Sequence, residues 1–300
     1  MALTTPLTLQ VTGYNNRFHK GANMKYYLST IADVTEEAGD DDWGKLVYTE
    51  KTAEIVKANG LGIEIAEFCI SENMDKRFDE VLPHVLKNAE ASTDKVLHAP
   101  YNELFPMAIE PLLVDIAYKR YEQSLDYCHR FGATKLIVHA NYIQEMYWAE
   151  WFVSRHIAFW KRFLAEHDDD IVICVENVQE EDPELILGIL REVDDPRLRM
   201  CLDVGHANLT PVAPIDWLKA CAPFVSHYHI HNNFGPPAEG RKSWGDRHLS
   251  PGNGNIDMKA LLTLAEELTP NATAAIESYE LDESVAWLKE NGFIGNRSSV

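Results

Sequence analysis

The sequence predicts a (β/α)8 TIM barrel over its 300 residues. Three observations predict it. Eight short apolar runs alternate with helical stretches along the chain. Several runs, such as Leu136-Ile137-Val138 and Ile171-Val172-Ile173, are apolar on both parities, which strands buried on both faces require. Most runs also end on Glu, Asp or His, and active sites of parallel barrels gather where the strand ends meet. A doubly wound open sheet is the runner-up. It calls for a glycine-rich phosphate turn after the first strand, and Val11-Thr12-Gly13-Tyr14-Asn15 is not one.

The elements follow in order. Residues 7–11 read as the first strand, ending at Gly13. Residues 23–42 read as an insertion, part helical, closing on the acidic turn Gly39-Asp40-Asp41-Asp42. A helix over 43–59 stops at Gly60, which suits the left-handed position after a helix. The second strand is 61–68, and a helix over 75–91 follows, with Pro83 set to kink or divide it. The third strand, 96–101, runs into a loop before a long helix over 108–131. The fourth strand is 135–139, followed by a tryptophan-rich helix over 145–166. The fifth is 171–176, with a helix over 182–192. The sixth is 199–203, and a short helix near 215–221 leads to the seventh, 224–231. A loop over 232–255, a helix over 257–268, the eighth strand at 274–277 and a last helix over 282–290 complete the alternation. No repeat or linker divides the chain, so one domain over 1–300 is expected.

Lys and Arg number 27 against 47 Asp and Glu, for a net charge of -20. Such a surface repels phosphate backbones, which argues against nucleic acid as a partner. No apolar run reaches membrane-spanning length, and residues 1–10 lack a signal peptide's basic and apolar regions. Five scattered cysteines with no C-x-x-C pair fit a reduced, cytoplasmic protein. The stripe Tyr147, Trp148, Trp151, Phe152 and Trp160 reads as helix packing or a homo-oligomer contact.

The segment Met200-Cys201-Leu202-Asp203-Val204-Gly205-His206 anchors the functional reading. It is a buried strand that stops at a glycine expected to allow a sharp exit, with an acid and an imidazole at its end. The other strand ends supply Glu67, His98, His139, Glu176, the spaced trio His227, His229 and His231, then Asp246 and His248 from the loop, and Glu277. Buried charges are costly unless paired or bound to metal, and mixed imidazole and carboxylate ligands suit a transition-metal dication. His227 lies deepest in its strand and reads as structural. His19, His84, His129, His156 and His167 fall on helices or loops and read as solvated.

Seven pieces resemble the xylose isomerase-like TIM-barrel superfamily, which holds sugar isomerases and epimerases together with endonuclease IV. They are His98-Ala99-Pro100-Tyr101, Val138-His139, Val175-Glu176-Asn177, Leu202-Asp203-Val204-Gly205-His206, His229-Ile230-His231-Asn232, Asp246-Arg247-His248 with Pro251-Gly252-Asn253-Gly254-Asn255-Ile256-Asp257, and Ile276-Glu277-Ser278. In the epimerase-like branch one divalent ion sits on residues that match Glu176, Asp203, His229 and Glu277. In the endonuclease branch a three-zinc cluster adds ligands that match His98, His139, His206, Asp246 and His248, all present here. Asn232 stands where Asp often does, and Asn253 where Glu is common, so hydrogen bonding behind the ligands should differ.

The resemblance implies an isomerase or epimerase, or a related lyase, acting on a small sugar, sugar phosphate or polyol by proton transfer beside a carbonyl. Glu176 and Glu277 would be its acid and base, and one ion of Mn, Zn, Co, Mg or Fe is expected rather than three. Glu67, Tyr101, His206, His231 and Arg247 would contact substrate; Arg241, Lys242 and Arg247 form the basic cluster near the mouth. An endonuclease-like phosphodiesterase and a non-catalytic metal- or sugar-binding barrel are the alternatives.

Overall fold

A closed ring of eight parallel strands forms the centre of the computed structural model, which describes residues 24–37, 45–236 and 245–295. The ring starts at β1 (Lys25–Ser29) and is closed by β1 pairing with both its second and its last strand. Residues 25–29 are thus the first barrel strand and not part of a helical insertion. The burial pattern explains this: four of the five residues are buried, too apolar a run for a surface excursion. The sequence-based strand at 7–11 lies outside the described residues. After a 3-10 turn come β2 (Val34–Glu37) and β3 (Lys45–Tyr48), an antiparallel hairpin outside the barrel.

The order then runs α1 (Lys51–Asn59), β4 (Gly62–Ile65), α2 (Phe78–Ala89), β5 (Lys95–His98), α3 (Pro111–Phe131), β6 (Lys135–His139) and α4 (Ala149–Glu166). It continues with β7 (Val172–Glu176), α5 (Glu184–Val193), β8 (Leu198–Asp203), the single turn α6 (Val204–Ala207), α7 (Pro214–Cys221) and β9 (Val225–Ile230). The last elements are α8 (Met258–Leu268), β10 (Thr273–Ile276) and α9 (Leu281–Glu290). Helix α1 ends on Gly60 at φ 64°, and α3 on Gly132 at φ 76°, the left-handed geometry that glycine adopts freely. Pro83 lies inside α2, which continues past it.

Strand residues alternate between two environments. Outward residues such as Ile63, Val138, Val175, Met200 and Ile276 join the core beneath the helices, where Trp160, Trp217 and Tyr121 are fully buried. Of the α4 stripe, Phe152 and Trp160 pack inside, whereas Trp148 is 78% exposed. Inward residues Tyr27, Val96, Ile137, Cys174, Cys201 and Ala275 form a second, smaller core inside the ring. Gly62 is inward too, and a Cβ there would strike the Tyr27 ring, so glycine makes room for a tyrosine in the barrel floor. Two residues further along five of these strands, the inward positions turn ionisable. Cys174 leads to Glu176, Cys201 to Asp203, Ile137 to His139, Val96 to His98 and Ala275 to Glu277. Among the described residues no helix is long and apolar enough to cross a membrane.

Candidate metal centre

Strand parity carries seven ionisable side chains to the interior and the mouth: Glu64, His98, His139, Glu176, Asp203, His229 and Glu277. Register aligns neighbours, with His139 opposite Glu176 and Asp203 opposite His229. Glu176 is the hub. Its Oε2 lies 3.4 Å from His98 Nε2, 3.3 Å from His139 Nε2 and 3.2 Å from His229 Nδ1. Its Oε1 lies 3.3 Å from His206 Nδ1. His229 Nδ1 also sits 3.5 Å from Glu277 Oε2 and 3.9 Å from Asp203 Oδ2.

A second group lies beside the first. Asp246 Oδ2 is 3.3 Å from His206 Nε2 and 3.0 Å from His248 Nε2, and Asp246 Oδ1 is 3.7 Å from His231 Nδ1. His231 Nε2 reaches Asp203 at 3.1 Å, and its ring stacks on that of His248 at 4.0 Å. His248 holds φ 45°, a strained backbone for a residue with a Cβ, of the kind that recurs at functional sites.

The backbone assigns the tautomers. Nδ1–H of His98 donates to Ala99 O at 2.8 Å, that of His206 to Asn177 O at 3.0 Å, and that of His248 to Glu277 O at 2.6 Å. A neutral imidazole so bound has a bare lone pair on Nε2. In all three residues that lone pair faces a carboxylate oxygen at 3.0–3.4 Å. Lone pair against anion is repulsive, so each pair asks for a proton or a cation between them. Glu176 Oε2, His229 Nδ1, His231 Nδ1 and Asp246 Oδ1 are moreover buried with no hydrogen-bond partner. The donor set therefore fits a divalent cation. Groupings with ligand atoms within 4.8 Å of one another include His98 with His139 and Glu176, His98 with His229 and Glu277, and His206 with His231, Asp246 and His248.

The electrostatics agree. Burial opposes the charge of Glu176, but His229 and His139 outweigh it and hold its carboxyl well below the usual range. Burial pushes Glu277 up to about 7; His229 opposes the rise, and Glu64 and Glu176 add to it. Burial would lower His248, but Asp246 lifts it to about 9.

Four expectations need correction. Glu67 does not reach the mouth. The strand ends at Ile65 and the chain turns into a short 3-10 helix, Glu67–Cys69. There Glu67 accepts from Thr30 Oγ1 at 2.8 Å and Asn88 Nδ2 at 2.5 Å, and burial pushes it up to about 6. Arg247 is exposed and does not line the cavity, while Asp246 and His248 on either side of it do; Arg241 and Lys242 lie outside the described residues. His156 is fully buried, donating to Ala140 O at 3.0 Å, since its helix face turns to the core. His231 is also fully buried and stands behind Asp203 instead of facing the cavity. Tyr101 does line the cavity, stacked on His139 at 4.3 Å.

On the sequence Glu67, nearer the strand end, takes precedence over Glu64. The signal for Glu64 is its place between Ile63 and Ile65, whose outward parity sends Glu64 inward. Sequence reading missed Asn177, whose Nδ2 donates to Asp203 O while its Oδ1 accepts Asp203 N, both at 2.9 Å. That two-way clamp fixes the end of β8 against β7. Asn232 binds the 251–256 turn, donating to Pro251 O at 2.8 Å and accepting from Ile256 N at 3.2 Å. Asn253 donates to Glu280 at 2.9 Å and Glu283 at 3.0 Å, away from the centre.

Above the carboxylates opens a cavity of about 440 Å³. Glu176, Glu277, His98, His139, His206 and Asp246 form its base, and aromatic and amide groups such as Tyr101, Tyr142 and Asn141 form its wall. No lysine or arginine is among its described lining residues.

A family profile described as a xylose isomerase-like TIM barrel matches residues 55–291. The chain belongs to this family. An uncharacterized protein of Methanocaldococcus jannaschii is 25% identical over 203 residues. That match spans 63% of this chain and 66% of the relative, just under two thirds of its length. A D-tagatose 3-epimerase-like protein of known structure has a TM-score of 0.65 at 20% identity, covering 89% of this chain and 97% of that one. A Thermus thermophilus protein whose crystals were soaked with zinc chloride has a TM-score of 0.66 at 20% identity, covering 91% and 100%. At such identities these structures speak for the shared fold.

Proposed function

We propose that this protein is a divalent-metal-dependent isomerase or epimerase, or a related lyase, that moves a proton beside the carbonyl of a small polyhydroxylated substrate. One observation carries the reading: Glu176 and Glu277, three strands apart around the ring, both line one cavity and both approach His229 Nδ1, at 3.2 and 3.5 Å. Glu176, Asp203, His229 and Glu277 would hold the cation, with His98, His139, His206, Asp246 and His248 available for further ions. A cation bound there supplies a Lewis acid for the oxygen on which charge develops.

The protein's own groups would do the rest. Glu176 and Glu277 both face the cavity, so one carboxylate can accept a carbon-bound proton and the other return one. For an epimerase the two act from different strands. A cavity of about 440 Å³ admits a monosaccharide-sized ligand, and its aromatic and amide wall suits hydroxyl-bearing rings or chains. Five buried, free cysteines support a reducing, cytoplasmic setting.

A second reading, a multi-zinc phosphodiesterase, is supported by the His206, His231, Asp246 and His248 group beside the first. The net charge of -20 and the lining just described weigh against it. Solvent exchange decides between them. Incubated with ketoses in deuterated water, the metal-loaded protein should place deuterium at the carbon next to the carbonyl. No exchange across a broad panel, together with metal-dependent cleavage of abasic DNA, would establish the phosphodiesterase instead.

A further inference from the structure

The floor of the barrel, below the cavity, holds a half-buried lysine and a buried carboxylate joined through two uncharged groups. Lys135 Nζ donates to Ser226 O at 2.5 Å and to Thr273 Oγ1 at 2.7 Å. Thr273 Oγ1 meets His227 Nδ1 at 2.5 Å. His227 Nε2 meets Glu64 Oε2 at 3.1 Å, and His229 Nε2 meets that same oxygen at 3.1 Å. Glu64, His227 and His229 are all fully buried.

Donor and acceptor counting fixes the direction of every bond. An ammonium only donates, so Thr273 Oγ1 accepts from Lys135. Thr273 Oγ1 has a second lone pair, but ionised Glu64 only accepts, so the proton of a neutral His227 sits on Nε2 and its Nδ1 takes the Thr273 hydroxyl hydrogen. His227 thus donates to Glu64 through Nε2–H. An ionised carboxylate only accepts, so His229 must also present an N–H at Nε2. In a neutral His229 the lone pair is left on Nδ1, and Nδ1 is the atom aimed at Glu176, Asp203 and Glu277.

We propose that Glu64 is a positioning residue for the metal centre. It holds Nε2–H of His229 and so presents the Nδ1 lone pair to the cation, while Lys135, Thr273 and His227 fix the polarity of that arrangement from below. The proposal rests on the reading of His229 as a metal ligand. A carboxylate behind a ligating imidazole fixes ring orientation and tautomer and raises the basicity of the donor nitrogen. Three neighbouring ligand candidates, His98, His206 and His248, use a backbone carbonyl for this purpose. His229 differs in having a charged partner, shared with a second histidine and tied through Thr273 to a lysine.

Metal affinity tests this without any substrate. Full-length protein, stripped with a chelator, is titrated with Zn2+ against a competing chromophoric chelator. Glu64→Gln keeps the side-chain volume and removes the charge; it should weaken zinc binding at this site about 10- to 100-fold. It should also shift the visible spectrum of the Co2+-loaded protein, which a purely structural role would leave unmoved. Thr273→Val is nearly isosteric and removes the hydroxyl that orients His227; it should weaken zinc several-fold and serves if Glu64→Gln does not fold. Asp203→Ala is the control for the centre itself. Wild-type zinc binding in Asp203→Ala would overturn the reading of the site. Loss of zinc in Asp203→Ala with wild-type affinity in folded Glu64→Gln, or in Thr273→Val when Glu64→Gln does not fold, would overturn the role of Glu64 alone.

Discussion

Replacing Gly205 with alanine probes how tightly the metal centre is packed. Gly205 lies in α6, and its backbone does not need a positive φ. In a helical turn alanine is ordinarily better than glycine by about 1 kcal/mol. Here the added Cβ would run into the His231 ring. That ring has nowhere to go: it is fully buried, bonded to Asp203 at 3.1 Å and stacked on His248 at 4.0 Å. Overpacking costs roughly 1–3 kcal/mol, and losing a hydrogen bond to a charged group costs about 1.5–3 kcal/mol. Against the propensity gain, the net loss is roughly 1.5–5 kcal/mol. For a chain of this size that lowers the melting temperature by roughly 3–10 °C. Thermal unfolding of the single variants and of Gly205→Ala combined with His231→Ala measures it. Removing the ring should relieve the clash, so the double variant should be more stable than additivity allows by at least about 1 kcal/mol. A melting temperature for Gly205→Ala equal to or above wild type, with additive behaviour in the pair, would refute the packing argument.

Asp203→Ala should leave the fold intact and remove bound metal, because Asp203 faces His229, His231 and His206 at once; elemental analysis and circular dichroism check both halves. Glu176→Gln and Glu277→Gln should each lower turnover about 10²- to 10⁴-fold while retaining partial metal, as loss of a general acid or base does; turnover near wild type in either would remove it from the proton path. Burial lowers His156 from 6.5 to about 4, so the unfolded chain takes up the proton first as pH falls. Stability should therefore decline between pH 6.5 and 4, by up to about 3 kcal/mol from this residue. His156→Gln, which keeps a donor for Ala140, should flatten that part of the pH–stability curve, and an unchanged curve would contradict the assignment.

The barrel was legible because its signals are local. Strand-length apolar runs, helix-length patterns and glycines such as Gly60 and Gly132 at helix ends depend on neighbours a few residues apart. The strand-end residues Glu176, Asp203, His229 and Glu277 were legible for the same reason: strand parity sends alternate side chains inward, and the ring brings strand ends together. What the sequence could not decide depended on where a strand stops and what packs against it. The first barrel strand lies at 25–29, a fact settled by closure of the ring through β4 and β10, which no local pattern announces. Glu64 and Glu67 differ by three residues, so which of them faces the interior turns on the strand ending at Ile65. Gly205 reads in the sequence as the point of a sharp exit, and the structure makes it a close approach to His231, a residue 26 positions away that only β8 and β9 pairing brings near. The imidazole tautomers are tertiary as well, set by carbonyls and a carboxylate from other segments of the chain. Sequence alone determines which chemical groups the strand ends carry; the packing of distant segments determines which of them reach the mouth and which of their atoms face one another, because a hydrogen bond or a clash is fixed over a few tenths of an ångström.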